Sequence, residues 1–201
     1  MEIFSLVGPD NDSHMCGSSD LLLPELSVPT CIACGYKTDL YFVNPSFRVK
    51  RRVFDLSATY DGYDIASRKL AEACARLNLK GISFVSLPAD QDFFVVVPQS
   101  ITRFDSLARG TRFMNLCVTC GFHESVAGAT PVHLLDLPTS DISATDVVFG
   151  SGNARSRVLI ATHHAKTLLT REKLKGLQFE LARPNNSFKP SPLRGLGKTV
   201  P

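Results

Sequence analysis

The pattern Cys-x-x-Cys-Gly occurs twice in this chain, as CIACG at 31–35 and as CVTCG at 117–121, with 82 residues between the inner cysteines. In such a knuckle, a tight turn points two sulfurs at one centre, and the glycine supplies the positive φ that the turn requires. Two knuckles bring four thiolates, a complete tetrahedral shell for zinc. The knuckles of a compact zinc ribbon stand about 15 to 20 residues apart. The spacing here instead predicts a clasp in which Cys31, Cys34, Cys117 and Cys120 join distant parts of the chain. A lone C-x-x-C also reads as a redox pair, but two matched copies favour a metal. Four thiolates leave no position for water or substrate, so the zinc expected is structural and a zinc hydrolase is disfavoured. His14 and His123, close in sequence to Cys16 and Cys120, are the alternative candidates that could substitute for a cysteine ligand.

A second repetition is less visible. IASRKLAEACARLNLKGISF at 65–84 aligns without a gap on IATHHAKTLLTREKLKGLQF at 160–179, at a constant offset of 95. Ser67 and Thr162 are suited to cap a helix N-terminus. Leu70, Ala73, Cys74 and Leu77 recur at helical spacing in the first copy, as do Ala165, Leu168 and Leu169 in the second. Gly81 and Gly176 stand where a left-handed cap would end each helix, and alternating strands follow. Cys74 lies on the apolar face and reads as a core residue. Further strands are expected at 2–7, 39–43, 52–56 and 92–97, and a connector with a short helical turn at 98–113. The turn-rich segment 128–156 reads as a surface loop. The fold class expected is α+β: two related lobes clasped by the two zinc knuckles, an N-terminal lobe at 1–98 and a C-terminal lobe at 99–182.

With 201 residues, 44% of them hydrophobic, the chain can bury a core without disulfides. No apolar run approaches the roughly 20 residues of a membrane-spanning helix, and no signal peptide is visible at the start. A soluble cytoplasmic protein is expected. The net charge of +3 sits in the final segment, 183–201, which holds Arg183, Lys189, Arg194 and Lys198 and no acidic residue, so the body carries about −1. That tail reads as flexible.

No catalytic constellation emerges. His163 and His164 are adjacent and fall on different sides of a helix with no linked acid or nucleophile. Cys16 has no family signature around it, and no phosphate-loop, dinucleotide or H-E-x-x-H motif is present.

The paired knuckles, with the ending DLPTSDISATDVVFG…VLIATHHAKTLLTREKLKGLQFELA, resemble the bacterial double-CxxCG motif family over roughly residues 1–182. Members of that family are associated with immunity against polymorphic toxins, including lipoprotein toxins exchanged between neighbouring cells. The resemblance implies a non-catalytic immunity protein that binds a cognate toxin in the cytoplasm. It carries over only Cys31, Cys34, Gly35, Cys117, Cys120 and Gly121, as knuckle positions. If the toxin is a basic nuclease, the acidic stretches at 58–64 and 138–146 are candidate contact loops. The alternative is a zinc-knuckle module binding nucleic acid or the translation machinery, for which the cluster Arg48, Lys50, Arg51 and Arg52 would have to supply a basic face. A thiol redox protein, with a labile disulfide in place of the metal, is a third class.

Overall fold

The computed structural model describes residues 2–184, and the rest of the segment read above as a tail lies outside them. The chain is mixed α+β and mostly sheet. In order, its elements are β1 (Ile3–Val7), β2 (Leu56–Ala58), β3 (Asp64–Ser67), α1 (Arg68–Arg76), β4 (Ile82–Ser86), β5 (Phe93–Pro98), β6 (Ile101–Thr102), α2 (Ser106–Arg109), β7 (Arg112–Leu116), β8 (His123–Ala127), β9 (His133–Leu134), β10 (Ile142–Thr145), β11 (Phe149–Ser151), β12 (Ala154–Ser156), β13 (Leu159–Thr162), α3 (His163–Arg171), β14 (Gln178–Leu181) and β15 (Arg183–Pro184).

The two helices expected from the aligned segments form with the same bounds at an offset of 95, and each has nine residues. Ser67 Oγ accepts the N–H of Leu70 and Thr162 Oγ1 that of Ala165, both at 3.2 Å, which satisfies a free donor in each first turn. The helix ends differ from expectation. The left-handed residues past each helix are Asn78 (φ 55°) and Lys173 (φ 52°), not the glycines. Gly81 and Gly176 serve close packing instead: a Cβ on Gly81 would stand 1.9 Å from the carbonyl oxygen of Ile142, and one on Gly176 2.3 Å from that of Leu56.

One antiparallel sheet has the order β2-β3-β5-β4. A five-stranded sheet runs β14-β1-β13-β10-β6, antiparallel apart from the β10–β6 pair. In it β1 lies between β13 and β14, the place that β5 takes between β3 and β4. Ile65 faces Val95 and Ile160 faces Ser5; Phe84 faces Val96 and Phe179 faces Leu6. A third sheet, β12-β11-β8-β7, carries the second knuckle, and β9 pairs with β15.

Residues from both sides of position 98 form one core. Leu56, Ala66, Leu70, Cys74 and Val96 pack with Ile142, Leu159, Ala161, Ala165 and Leu169. The halves divided at 98/99 therefore share their largest apolar cluster, and the first lobe lends β1 to the second half's sheet. The helical spacing of Leu70 and Cys74 in α1, and of Ala165 and Leu169 in α3, brings the two helices' apolar faces into this cluster, and each fully buried leucine in it contributes about 1.5–3 kcal/mol.

Three expected elements differ. Residues 39–43 form a turn whose Tyr41, Phe42 and Val43 pack around Met15, Cys16 and Phe47, apolar burial without strand pairing. The strand expected at 52–56 begins only at Leu56, because Arg52 and Val53 sit in a turn. Segment 128–156, read as a surface loop, holds four strands, and Ile142–Thr145 is buried throughout. Its polar residues are paired inside: Ser143 Oγ lies 2.7 Å from Thr102 Oγ1, and Thr145 Oγ1 accepts the N–H of Val158.

Candidate metal centre

The first knuckle lies in the long connection between β1 and β2, and the second turns from β7 into β8. Their backbones match bond for bond. The N–H of Gly35 donates to the Cys31 carbonyl at 2.8 Å, and that of Gly121 to the Cys117 carbonyl at 2.8 Å. The N–H of Cys31 reaches the Tyr36 carbonyl, and that of Cys117 the Phe122 carbonyl, both at 2.9 Å. Gly35 and Gly121 hold φ of 76° and 74°, the left-handed turn anticipated from the pattern.

The four expected sulfurs meet. Cys31 Sγ is 3.8 Å from Cys117 Sγ, and Cys34 Sγ is 3.8 Å from Cys120 Sγ. All four lie within 4.8 Å of one another. Sulfurs at the corners of a tetrahedron with metal–sulfur bonds of about 2.3 Å stand roughly 3.8 Å apart, whereas a disulfide needs about 2 Å. The arrangement is compatible with a metal site. Neither histidine joins the cluster: His14 is exposed against Tyr60 and the His123 ring packs against Phe113. His163 and His164 are exposed at the start of α3.

The electrostatics of the sulfurs point the same way. Backbone N–H groups of Cys120 and Thr119 aimed at Cys117 pull its thiol down to about 6, and those of Cys34 and Ala33 lower Cys31. Cys34 receives the Tyr36 N–H, yet burial and the neighbouring sulfurs of Cys31, Cys117 and Cys120 push it up to about 11. Four sulfurs this close resist becoming four thiolates unless a cation lies among them, which is what a divalent ion supplies.

The surroundings include residues that no spacing pattern announced. Asn153 Oδ1 accepts the N–H of Lys37 at 2.8 Å, and Tyr36 Oη reaches Glu124 at 3.4 Å. Arg155 of β12 is buried behind both knuckles. Lys37 is also buried, with Nζ 3.0 Å from the Asp61 carbonyl oxygen and 4.1 Å from the centre of the Tyr63 ring. Cys16 sits beside the same ring, its Sγ 3.3 Å from Tyr63 Oη, and burial raises its thiol. Neither Cys16 nor the core residue Cys74 joins the four-sulfur cluster.

The acidic stretches expected to contact a partner are largely occupied within the fold. Asp61 is buried and accepts the N–H groups of Met15 and Cys16. Asp141 accepts the N–H of Lys80, and Asp146 that of Phe104. In the basic run, Arg52 pairs with Asp90 and Asp92. No helix among the described residues is long and apolar enough to cross a membrane.

No protein-family model matches the chain, and no curated protein is similar to it.

Proposed function

We propose that this chain is a non-catalytic immunity protein of the cytoplasm, its two related halves held by a structural zinc ion, and that it neutralises a cognate toxin by binding it. The convergence of Cys31, Cys34, Cys117 and Cys120 at tetrahedral spacing carries the metal part of this reading. Zinc suits four thiolates, and a shell they fill has no open position for chemistry. The ion would fasten the β1–β2 connection to the β7–β8 turn.

Duplication of an ancestral half is supported by two constant offsets. The knuckles stand 86 positions apart, and so do Asp55 and Asp141, whose carboxylates accept the N–H groups of Lys175 and Lys80. The helices follow at 95. A longer hairpin in the second half, containing β11 and β12, accounts for the change between them.

A binding role is supported by apolar surface next to the clasp. Ile32 and Val118, the residues after the first cysteine of each knuckle, are 99% and 91% exposed, and Met114 and Leu116 of β7 are more than half exposed. Toxin neutralisation rests on the resemblance of the paired knuckles and the C-terminal segment to the double-CxxCG family. The nucleic-acid alternative loses part of its basic face to the ion pairs of Arg52.

Native mass spectrometry of the protein expressed with the product of its neighbouring gene tests this reading, together with survival of cells that make that product. One zinc per chain, a stoichiometric protein complex and protected cells are expected. Bound RNA with no protein partner would replace toxin binding with the nucleic-acid module, and a zinc-free protein would overturn the clasp.

A further inference from the structure

Arg155 is 1% exposed, and its side chain is among the largest in the chain to be fully buried. Its guanidinium grips both knuckles at once. Nη2 donates to the Lys37 carbonyl at 2.8 Å and Nη1 to the His123 carbonyl at 3.2 Å. Each acceptor is the third residue after the second cysteine of its knuckle. The cation also lies 4.7 Å from the centre of the Phe122 ring and 5.6 Å from that of Tyr36, again one matching residue from each knuckle.

A buried guanidinium is costly unless an opposite charge accompanies it. Its bonds here go to neutral carbonyls, and Nε has no hydrogen-bond partner among the described residues. After burial itself, the strongest influences on its charge are Cys120, Cys34, Tyr36 and Cys117. The Lys37 ammonium is turned elsewhere, to the Asp61 carbonyl and the Tyr63 ring, so Arg155 is the buried cation that answers to the knuckle sulfurs. Four thiolates around a divalent ion carry a net charge of −2, and the buried Arg155 guanidinium offsets part of it, so each charge compensates the other when the site is loaded.

We propose that Arg155 is the positioning residue and counter-charge of the metal centre, holding the two knuckles in register and raising the affinity of the four thiolates for a divalent ion. This rests on the metal reading given above. The fork explains the choice of arginine, since two parallel donors spread over a planar group reach two carbonyls that a single ammonium cannot hold together. Outer-shell partners of metal ligands commonly contribute 10- to 100-fold to affinity.

Zinc affinity, measured by competition with a chromogenic chelator, tests the assignment in wild type, R155K, R155Q and R155M, alongside melting temperatures with and without zinc. The expected result is a loss of about 10- to 100-fold in R155M, a smaller loss in R155K, and a reduced rise in melting temperature on zinc loading for R155M. A merely structural arginine would lower the melting temperatures of loaded and zinc-free protein equally and leave the affinity within twofold, and that result overturns the proposal. If R155M does not fold, R155K and R155Q decide: weaker binding by R155Q supports the counter-charge, and equal affinities overturn it. A wild type that binds no zinc overturns the metal centre and this assignment together, whereas zinc bound equally by wild type and R155M overturns this assignment alone.

Discussion

The carboxylate of Asp55 accepts the backbone N–H of Lys175 at 2.7 Å across 120 positions of chain. The same carboxylate accepts the hydroxyl of Ser67 at 2.7 Å, so one side chain joins the start of α1 to the loop after α3. Asp141 repeats the first of these bonds, accepting the N–H of Lys80 at 2.9 Å. Replacing Asp55 with alanine strands a backbone donor and a hydroxyl, and unfolding by urea is expected to show a loss of about 1–3 kcal/mol. Asp141→Ala should fall in the same range. No change in the denaturation midpoint for either variant would mean that water replaces these carboxylates at no cost.

Glycine positions separate close packing from turn geometry. Gly81→Ala places a Cβ 1.9 Å from the Ile142 carbonyl oxygen at a φ of 98°, and should cost more than about 2 kcal/mol or prevent folding. Gly121→Ala meets no atom within 4 Å and suffers only the left-handed backbone, a cost of about 1–2 kcal/mol. Thermal melts of the two variants check the order; a Gly81 variant as stable as the Gly121 variant would contradict the close approach.

Metal removal should act on the clasp alone. Cys117→Ser is expected to abolish stoichiometric zinc by elemental analysis and to lower the melting temperature to that of chelator-treated wild type. Cys74→Ala, in the apolar core, should keep its zinc while losing stability. Zinc retained at full stoichiometry by Cys117→Ser would remove Cys117 from the ligand set.

Lys37 gives the chain a pH signature. Burial lowers its ammonium to about 8, partly offset by Asp61 and Cys16. Between that value and its ordinary 10.5 the unfolded chain binds more protons than the folded one, so this residue's contribution makes stability rise as pH increases through that window. The raised thiol of Cys16 acts in the opposite direction above its ordinary 9.0, because there the unfolded chain loses that proton first. The difference in unfolding free energy between wild type and Lys37→Met isolates the lysine. It should grow in favour of wild type by up to about 1.4 kcal/mol per pH unit above pH 8, and a flat difference would show the ammonium to be well solvated.

The knuckle cysteines and both long helices were legible because each depends on short-range spacing: two cysteines three apart, a capping hydroxyl, an apolar stripe. The partners of those units were not. Nothing near Arg155 or Asn153 in the sequence connects them to Lys37, 118 and 116 positions away. The buried strand Ile142–Thr145 was hidden because Ser143 and Thr145 break the apolar pattern while finding hydroxyl and backbone partners inside. Residues 39–43 misled in the opposite sense, since apolar side chains bury equally well from a turn. The positive φ anticipated at Gly81 and Gly176 is present, but it answers to a carbonyl in the other half, which no local pattern reports.

The place of β1 has a consequence for biosynthesis. Ser5 faces Glu180, 175 positions later, whereas β4 and β5 form a hairpin closed within a few residues. At roughly 5–20 residues per second of translation, β1 leaves the ribosome about ten seconds or more before both its neighbours exist. The early-made half can pair β2 to β5 while β1 waits with its backbone donors in water. Seating of this first-made strand is then the step that closes the second sheet, and a chain stalled before β13 would expose the apolar face of Phe4 and Leu6 to aggregation.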